Sequence, residues 1–483
     1  MSALIKPDYR APELMIHGEW RTGRAKSMSP VIDPATGETL DMMSHASNAD
    51  LDDALIAVDK GFRTWSATPI AERQKIILKG VYNMLERAPV IAPLLTLEQG
   101  KPLSQSLAEI QGAAAMVKWY AEQARHAHGR LIEGAARNID IEVRKEPIGP
   151  CLLLSPWNMP VLLAARKIGG ALSAGCSCII KPPEETPKAI AEVVRCFIDA
   201  GLPDGVINLV FGVPSEVSAR LIASDIIRKV SFTGSVTVGK HLAGLAASGL
   251  KRLTLELGGH SPVIVMPDVK LDFVIEQLVM AKFRNAGQLC LAPTRFFVHK
   301  DVYSCFVEQF AARAEELRIG HGLDPSTQLG PLANSRRLES MKDLMKANGP
   351  ITRLVTGGQR AGDQGNFFAP TVLADAEDSV PAMCEEPFGP VALLTPFKTV
   401  DEAILRANAT RYGLASYVYT DSAKAQKSLL DGLEVGTVCI NNTVASMAEA
   451  PFGGVKDSGY GHESGEEGLE GYMHTKTVHR SYV

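Results

Sequence analysis

Residues 151–187 read CLLLSPWNMPVLLAARKIGGALSAGCSCIIKPPEETP. Two short apolar runs, Cys151-Leu-Leu-Leu-Ser155 and Cys178-Ile-Ile180, flank a helix-compatible stretch from Arg166 to Ala174. The same rhythm continues downstream. Val206-Ile-Asn-Leu-Val210, Lys229-Val-Ser-Phe232, Leu253-Thr-Leu-Glu-Leu257 and Val263-Ile-Val-Met266 are β-type runs. Pro187 to Ala200, Ser215 to Ala223 and Thr237 to Ala247 are helical stretches between them. Strand, helix, strand in this order implies a parallel sheet with helices on its faces.

Further along, Lys270 to Asn285 and Val302 to Leu317 read as helices, and Phe296-Phe-Val298, Val391-Ala-Leu-Leu394 and Val418-Tyr419 as strands. The expectation is an α/β protein of two lobes, divided near Gly258-Gly259. Upstream, Asp50 to His126 is rich in helical periodicity, as in Ala71 to Glu86 (AERQKIILKGVYNMLE). Two segments differ. Arg137 to Lys145 (RNIDIEVRK) alternates like an exposed strand, and the tail Thr475 to Val483 (TKTVHRSYV) is β-rich. Open strands attract partners. They suggest a subunit interface built by strand pairing, against the competing reading of a hairpin within one subunit.

Composition narrows the class. The chain has 483 residues, 46% hydrophobic and 22% charged, with a formal net charge of −4. That length suits two or three domains and a large core. The small net charge argues against nucleic-acid binding, and the apolar content against disorder. The eight cysteines are scattered through a long chain, so they read as free thiols in a reducing compartment. Met1 to Tyr9 has no apolar signal core, and no apolar run reaches the roughly 18 residues that span a bilayer. The expected location is cytoplasmic, with no membrane partner.

Five segments carry groups suited to chemistry. Phe283-Arg-Asn-Ala-Gly-Gln-Leu-Cys290 places a cysteine in a loop after a helix; alone, a buried structural thiol is the commoner case. Leu253-Thr-Leu-Glu256-Leu-Gly-Gly259 ends a strand on an acid, where α/β proteins bind ligands. A solvated strand-end carboxylate competes with that reading. Ser155-Pro-Trp-Asn158-Met-Pro160 holds an amide in a turn fixed by two prolines, either for an oxyanion or as an Asx turn. Phe232-Thr-Gly234-Ser-Val-Thr-Val-Gly239-Lys240-His241 offers backbone N–H groups to a phosphate. His241 stands where a nucleotide triphosphatase needs Ser or Thr for magnesium, so that class loses. Lys181-Pro-Pro-Glu184 could grip ribose hydroxyls or form a surface turn. No metal site is expected, because Cys176-Ser-Cys178 lacks a second ligand pair and the eleven histidines form no cluster.

Taken in order, Pro156-Trp157-Asn158, Lys181 to Glu184, Phe232 to Gly239, Leu255 to Gly259, Gly287 to Cys290, Glu386 to Pro390 and Pro451 to Gly461 resemble the motifs of the aldehyde dehydrogenase superfamily. The resemblance spans essentially the whole chain. It implies two parallel-sheet α/β domains plus a small β oligomerisation element. The cofactor domain would be residues 1–127 and 147–258, the catalytic domain 259–457, and the oligomerisation strands 128–146 and 470–483. It also implies roles: Cys290 as nucleophile, Glu256 as general base, Asn158 as oxyanion donor, and Lys167 and Glu463 on a proton path. Lys181 and Glu184 match an adenine-ribose clamp. Gly234, Ser235 and Gly239 match a pyrophosphate site, and Glu386 and Phe388 match groups that position nicotinamide. Ser155, Trp157 and Leu257 fall in the same cofactor-binding motifs.

The implied reaction suits these residue types. A thiolate adds to the aldehyde carbon and makes an oxyanion that expels hydride, leaving a thioester that base-activated water hydrolyses. A carboxylate at Glu184 repels a 2′-phosphate, so NAD is favoured over NADP. Arg166, Arg284 and Ser446 coincide with residues that bind the distal carboxylate in succinate-semialdehyde dehydrogenases, which are the nearest pattern. A short anionic semialdehyde is therefore the expected substrate. Structural ion pairs at one or both arginines are the alternative. The Leu289-Cys290-Leu291-Ala292-Pro293 loop and the stretch after Asn158 depart from the succinate-semialdehyde pattern, which leaves sulfonated, keto-acid or aromatic aldehydes open. A non-catalytic protein of this fold is the other class, and the presence of Cys290, Glu256 and Asn158 argues against it. A homodimer or homotetramer is expected.

Overall fold

The computed structural model describes residues 7–136, 138–347 and 351–482. An eight-stranded sheet organises the first half of the chain. Its parallel centre runs Arg252–Glu256, Lys229–Thr233, Cys151–Leu154, Cys178–Lys181 and Ile207–Leu209. From Cys151–Leu154 the chain steps outward through Cys178–Lys181 to Ile207–Leu209 on one side, then crosses to Lys229–Thr233 and Arg252–Glu256 on the other, so strand order reverses between Cys151–Leu154 and Lys229–Thr233. In open α/β sheets the crevice beyond the strand C-termini at such a reversal is the ligand site. Register puts Leu154 opposite both Lys181 and Phe232, and Thr233 opposite Glu256. The four expected motifs that follow these strands therefore leave the sheet at one end.

Four N-terminal strands went unread in the sequence. Leu14–Ile16 and Glu19–Arg21 extend the sheet antiparallel beyond Ile207–Leu209, and Met28–Ile32 pairs with Thr39–Ser44. They are three to six residues long, too short to show a period. Gly459–Tyr460, which had no assigned part, closes the opposite edge against Leu255 and Glu256.

The helical region resolves into Asn48–Ala67, Ile70–Gln99 and Leu103–Gln123. Ser47 caps the first, accepting from Asp50 N–H while Asp50 accepts from Ser47 N–H. The second runs through Pro89 and Pro93 and ends on left-handed Gly100. The helix expected from Arg166 begins earlier, at Pro160, because proline at the first helical position needs no amide partner.

A seven-stranded sheet carries the second half, with Ser261–Val265, Pro293–His299, Val391–Phe397 and Ala415–Tyr419 at its centre. Two large apolar cores result, one around each sheet. Ile139–Pro147 and Met473–Ser481 pair antiparallel with each other in one chain, Arg144 opposite Lys476, with Arg130–Glu133 on the far side. Arg137 and Val483, the ends of the two segments read as strands, lie outside the described residues. Among the described residues no helix is long and apolar enough to cross a membrane.

Candidate active site

Cys290 sits on the wall of a cavity of about 1070 Å³, together with Asn158, Arg166, Arg284 and Ser446. The loop that presents it is strained. Asn285 (φ 50°), Ala286 (φ 53°) and Gly287 (φ 70°) are consecutive left-handed residues after the helix Leu271–Phe283. Two of them carry a β-carbon, and such backbone persists only where its surroundings enforce it. Here Asn285 N–H donates to Gln105 Oε1 at 2.9 Å, and Gln288 Nε2 donates to Asn285 O at 3.0 Å. Gln288 Oε1 accepts from Ala333 N–H at 3.0 Å. Gly259 lets the loop come close, since a β-carbon there would stand 2.4 Å from the Cys290 carbonyl oxygen. Burial, with Glu386 and Glu256 nearby, pushes the Cys290 thiol up to about 12, so it is protonated at neutral pH.

Asn158 faces this loop. Its Nδ2 donates to Gln288 O at 3.0 Å, and its carbonyl accepts from Lys101 Nζ at 2.7 Å and Asn285 Nδ2 at 2.8 Å. Gln288 falls in the Gly287 to Cys290 motif, whereas Lys101, Glu109 and Gln105 gave no signal in the sequence. Charged residues beside a helix ordinarily mark a solvated face.

Glu256 ends its strand buried, and neither carboxylate oxygen has a hydrogen-bond partner among the described residues. It is not part of the cavity wall. Burial, then the negative Glu463, raise it well above the usual carboxylate range, and Arg166 and Lys167 offset this only in part. Glu463 accepts from Lys167 Nζ at 2.5 Å and from Ser231 Oγ at 3.0 Å. Lys167 also donates to Thr233 Oγ1 at 2.8 Å. The expected proton-path pair is thus one buried cluster beside the expected base.

The two arginines differ. Arg166 is 2% exposed, donates from Nη2 to Ser446 Oγ at 2.7 Å, lies 3.9 Å from Glu463 and covers the Phe452 ring at 4.7 Å. Arg284 is exposed on the cavity wall, and its side chain makes no ion pair or hydrogen bond among the described residues.

The expected cofactor groups line up at the sheet's C-terminal end. Lys181 is 5% exposed, and Glu184 is half-buried with no side-chain hydrogen bond among the described residues. The neighbouring Glu185 is occupied, accepting from Arg336 at 2.8 Å and Asn334 at 3.1 Å. Ser235 caps the helix Val236–Ala247, and Gly239 brings that helix within 2.4 Å of a would-be contact between a β-carbon and the Leu257 side chain. Ser155 Oγ is buried and unpartnered. Glu386 Oε1 accepts from Gly259 N–H at 3.2 Å. Burial pushes Glu386 up to about 8. Phe388 meets Trp157 edge-on, with ring centroids 5.5 Å apart. An unpartnered hydroxyl, a buried ammonium, a free carboxylate and a helix N-terminus along one edge fit a dinucleotide.

Among the described residues no group of three or more His, Cys, Asp or Glu side chains could hold a metal ion, and all eight cysteines are free.

Residues 20–478 match the aldehyde dehydrogenase family. The chain is 50% identical over 476 residues to a protein of Comamonas testosteroni named 4-(hydroxymethyl)benzenesulfonate dehydrogenase TsaD1, covering 98% of both. It is 36% identical to the 3-sulfolactaldehyde dehydrogenase of Pseudomonas putida, covering 99% of both. Its fold superposes on the crystal structure of succinate-semialdehyde dehydrogenase from Burkholderia pseudomallei with a TM-score of 0.96 and 36% identity, covering 98% of both chains.

Proposed function

The chain belongs to the aldehyde dehydrogenase family, and from that premise we propose that it oxidises an aldehyde with a distal anionic group to the carboxylic acid, using NAD. The observation that carries the substrate class is Arg284, a guanidinium without a partner among the described residues, on the wall of the cavity that holds Cys290. A planar cation there fits a carboxylate or a sulfonate. Between the two, the wall is largely apolar, and Phe273, Met280, Val444 and Met447 stand exposed around it. That room and that lining favour an aromatic ring over a short aliphatic chain in the middle of the substrate. The substrates in the relatives' names, two sulfonates and one semialdehyde acid, agree with an anionic end. An alcohol offers Cys290 no electrophilic carbon, so the aldehyde is the form this constellation processes.

In this reading the Cys290 thiol releases its proton to solvent, the thiolate adds to the aldehyde carbon, and the Asn158 amide stabilises the oxyanion. Removing such a donor costs roughly 10²–10³ in rate. The nicotinamide, when bound, accepts the hydride. Cys290 is left acylated, and Glu256 takes a proton from the attacking water. Glu463, held in place by the Lys167 ammonium, passes that proton on inside the protein. Lys181 and Glu184 would hold the adenine ribose, Ser155, Gly234 and Ser235 the pyrophosphate, and Glu386 and Phe388 the nicotinamide half, with Trp157 against Phe388. Glu184 has no counter-cation other than Lys181 to screen it from a 2′-phosphate, which favours NAD over NADP.

The first sheet with its helices (1–127 and 147–258) serves the cofactor, and 259–457 supplies the nucleophile. The open edges of 128–146 and 470–483 support assembly into a dimer or tetramer. The decisive experiment compares kcat/KM for 4-formylbenzenesulfonate, succinate semialdehyde, benzaldehyde and butanal in wild type and Arg284→Ala. The anionic pair should lose about 10- to 100-fold, as expected for a hydrogen bond to a charged group. The neutral pair should be unchanged. Equal losses on all four sink the anion clamp, and the ratio of the two anionic substrates decides ring against chain.

A further inference from the structure

A buried ion pair, Lys101 with Glu109, lies against the Asn158 turn, outside the reacting groups. Lys101 follows left-handed Gly100 at the end of one helix, and Glu109 lies one turn and more into the next. Both are about 1% exposed. Lys101 Nζ reaches Glu109 Oε2 at 2.5 Å, the Asn158 carbonyl at 2.7 Å and Met159 Sδ at 3.4 Å. The other Glu109 oxygen accepts from Val161 N–H at 2.8 Å and Leu162 N–H at 3.1 Å. These are free amides at the start of the helix Pro160–Ala174, which has no side-chain cap of its own.

The pair therefore grips the Asn158 turn from both sides. Glu109 fastens the helix that begins two residues after Asn158, and Lys101 fastens the Asn158 carbonyl. The Asn158 side chain is left with one direction, toward Gln288 O and the Cys290 loop. The loop has separate ties through Gln105, Gln288 and Ala333. Loss of the ion pair thus frees the Asn158 turn more than the nucleophile.

We propose that Lys101 and Glu109 are positioning residues for the reaction, acting through Asn158 to hold the oxyanion donor in register with Cys290. This rests on Asn158 serving as that donor. A displacement of about 1 Å at such a group costs on the order of 10²-fold in rate. The pair touches neither the cofactor groups nor the base, so NAD affinity and thioester hydrolysis stay as they are.

The test is a double-mutant cycle. Lys101→Met and Glu109→Gln are each made alone and on Asn158→Ala, and the NADH-forming burst is measured with an aldehyde the wild type turns over. Glu109→Gln keeps the acceptor for Val161 and Leu162, so it carries the cycle if Lys101→Met does not fold. Alone, each variant should slow the burst about 10- to 100-fold. NAD affinity, and the rate at which iodoacetamide alkylates Cys290, should stay within about twofold. On Asn158→Ala, each should add less than about threefold, because the group it positions is gone. Losses that multiply equally in both backgrounds, or a matching fall in NAD affinity, overturn the proposal. An Asn158→Ala enzyme with an unimpaired burst instead removes the oxyanion role itself, which separates the two failures.

Discussion

Lys167 Nζ lies 2.5 Å from Glu463 Oε1, and both side chains are buried beside Glu256. Burial by itself would raise Glu463, but Lys167, Arg166 and the Ser231 hydroxyl bring it below the usual carboxylate range. Glu256 has no comparable partner and is raised. Negative charge is thus favoured on Glu463 over its neighbour, and the expected base is the carboxyl of the two that keeps its proton to higher pH.

A base must be ionised to work, so thioester hydrolysis should accelerate as pH rises from 6 to 9. Glu256→Gln should keep the NADH burst, lose about 10²–10⁴ in the following steady state and flatten its pH profile. Stopped-flow traces across that range check this. A missing burst with Cys290 intact would sink the assignment. The same shift bears on stability. An acid held protonated by the fold stabilises it below its unfolded value, and that contribution is lost as pH rises. Glu256→Gln should therefore gain thermal midpoint over wild type progressively from pH 5 to pH 8.

The Cys290 thiol, pushed up to about 12 by burial and nearby carboxyls, should react through a minute thiolate fraction. Alkylation by iodoacetamide in the absence of NAD should rise about tenfold per pH unit from 7 to 9. A plateau inside that window would mean that the loop stabilises the thiolate.

Glu386, raised to about 8 by burial, gains its full acceptor strength only above that pH. NAD affinity should increase from pH 6.5 to 9, and Glu386→Gln should erase the increase. Calorimetric titration at several pH values measures both.

Arg166 and Arg284 should separate stability from specificity. Arg166→Met leaves the buried Glu463 with one fewer cation and half-buried Ser446 without its partner, a loss on the order of 3 kcal/mol. Arg284→Ala removes an exposed side chain without partners among the described residues and should change stability by less than about 0.5 kcal/mol. Denaturant midpoints of the two variants make the comparison. Equal destabilisation would contradict the division of roles.

Much of the fold was legible because parallel strands are short apolar runs with helices between them, and Cys151–Leu154 and Cys178–Lys181 declare that pattern within 31 residues of chain. Leu14–Ile16 was not legible, since three apolar residues carry no period. Cys290, Glu256 and Asn158 were legible as residue types in an ordered set of motifs. Lys101 and Glu109 were not, because only packing shows that these charges are buried rather than solvated.

By itself, then, the sequence determined the α/β class and, through the order of its motifs, the family resemblance that nominates a nucleophile, a base and an oxyanion donor, because periodicity and motif order are local properties of the chain. Only the tertiary structure decided which of two arginines is free and which carboxyl holds the charge. Those outcomes depend on partners far apart in sequence: Arg166 meets Ser446 across 280 residues, and Lys167 meets Glu463 across 296. A charge's state follows from its burial and its neighbours, and both exist only once the chain has folded.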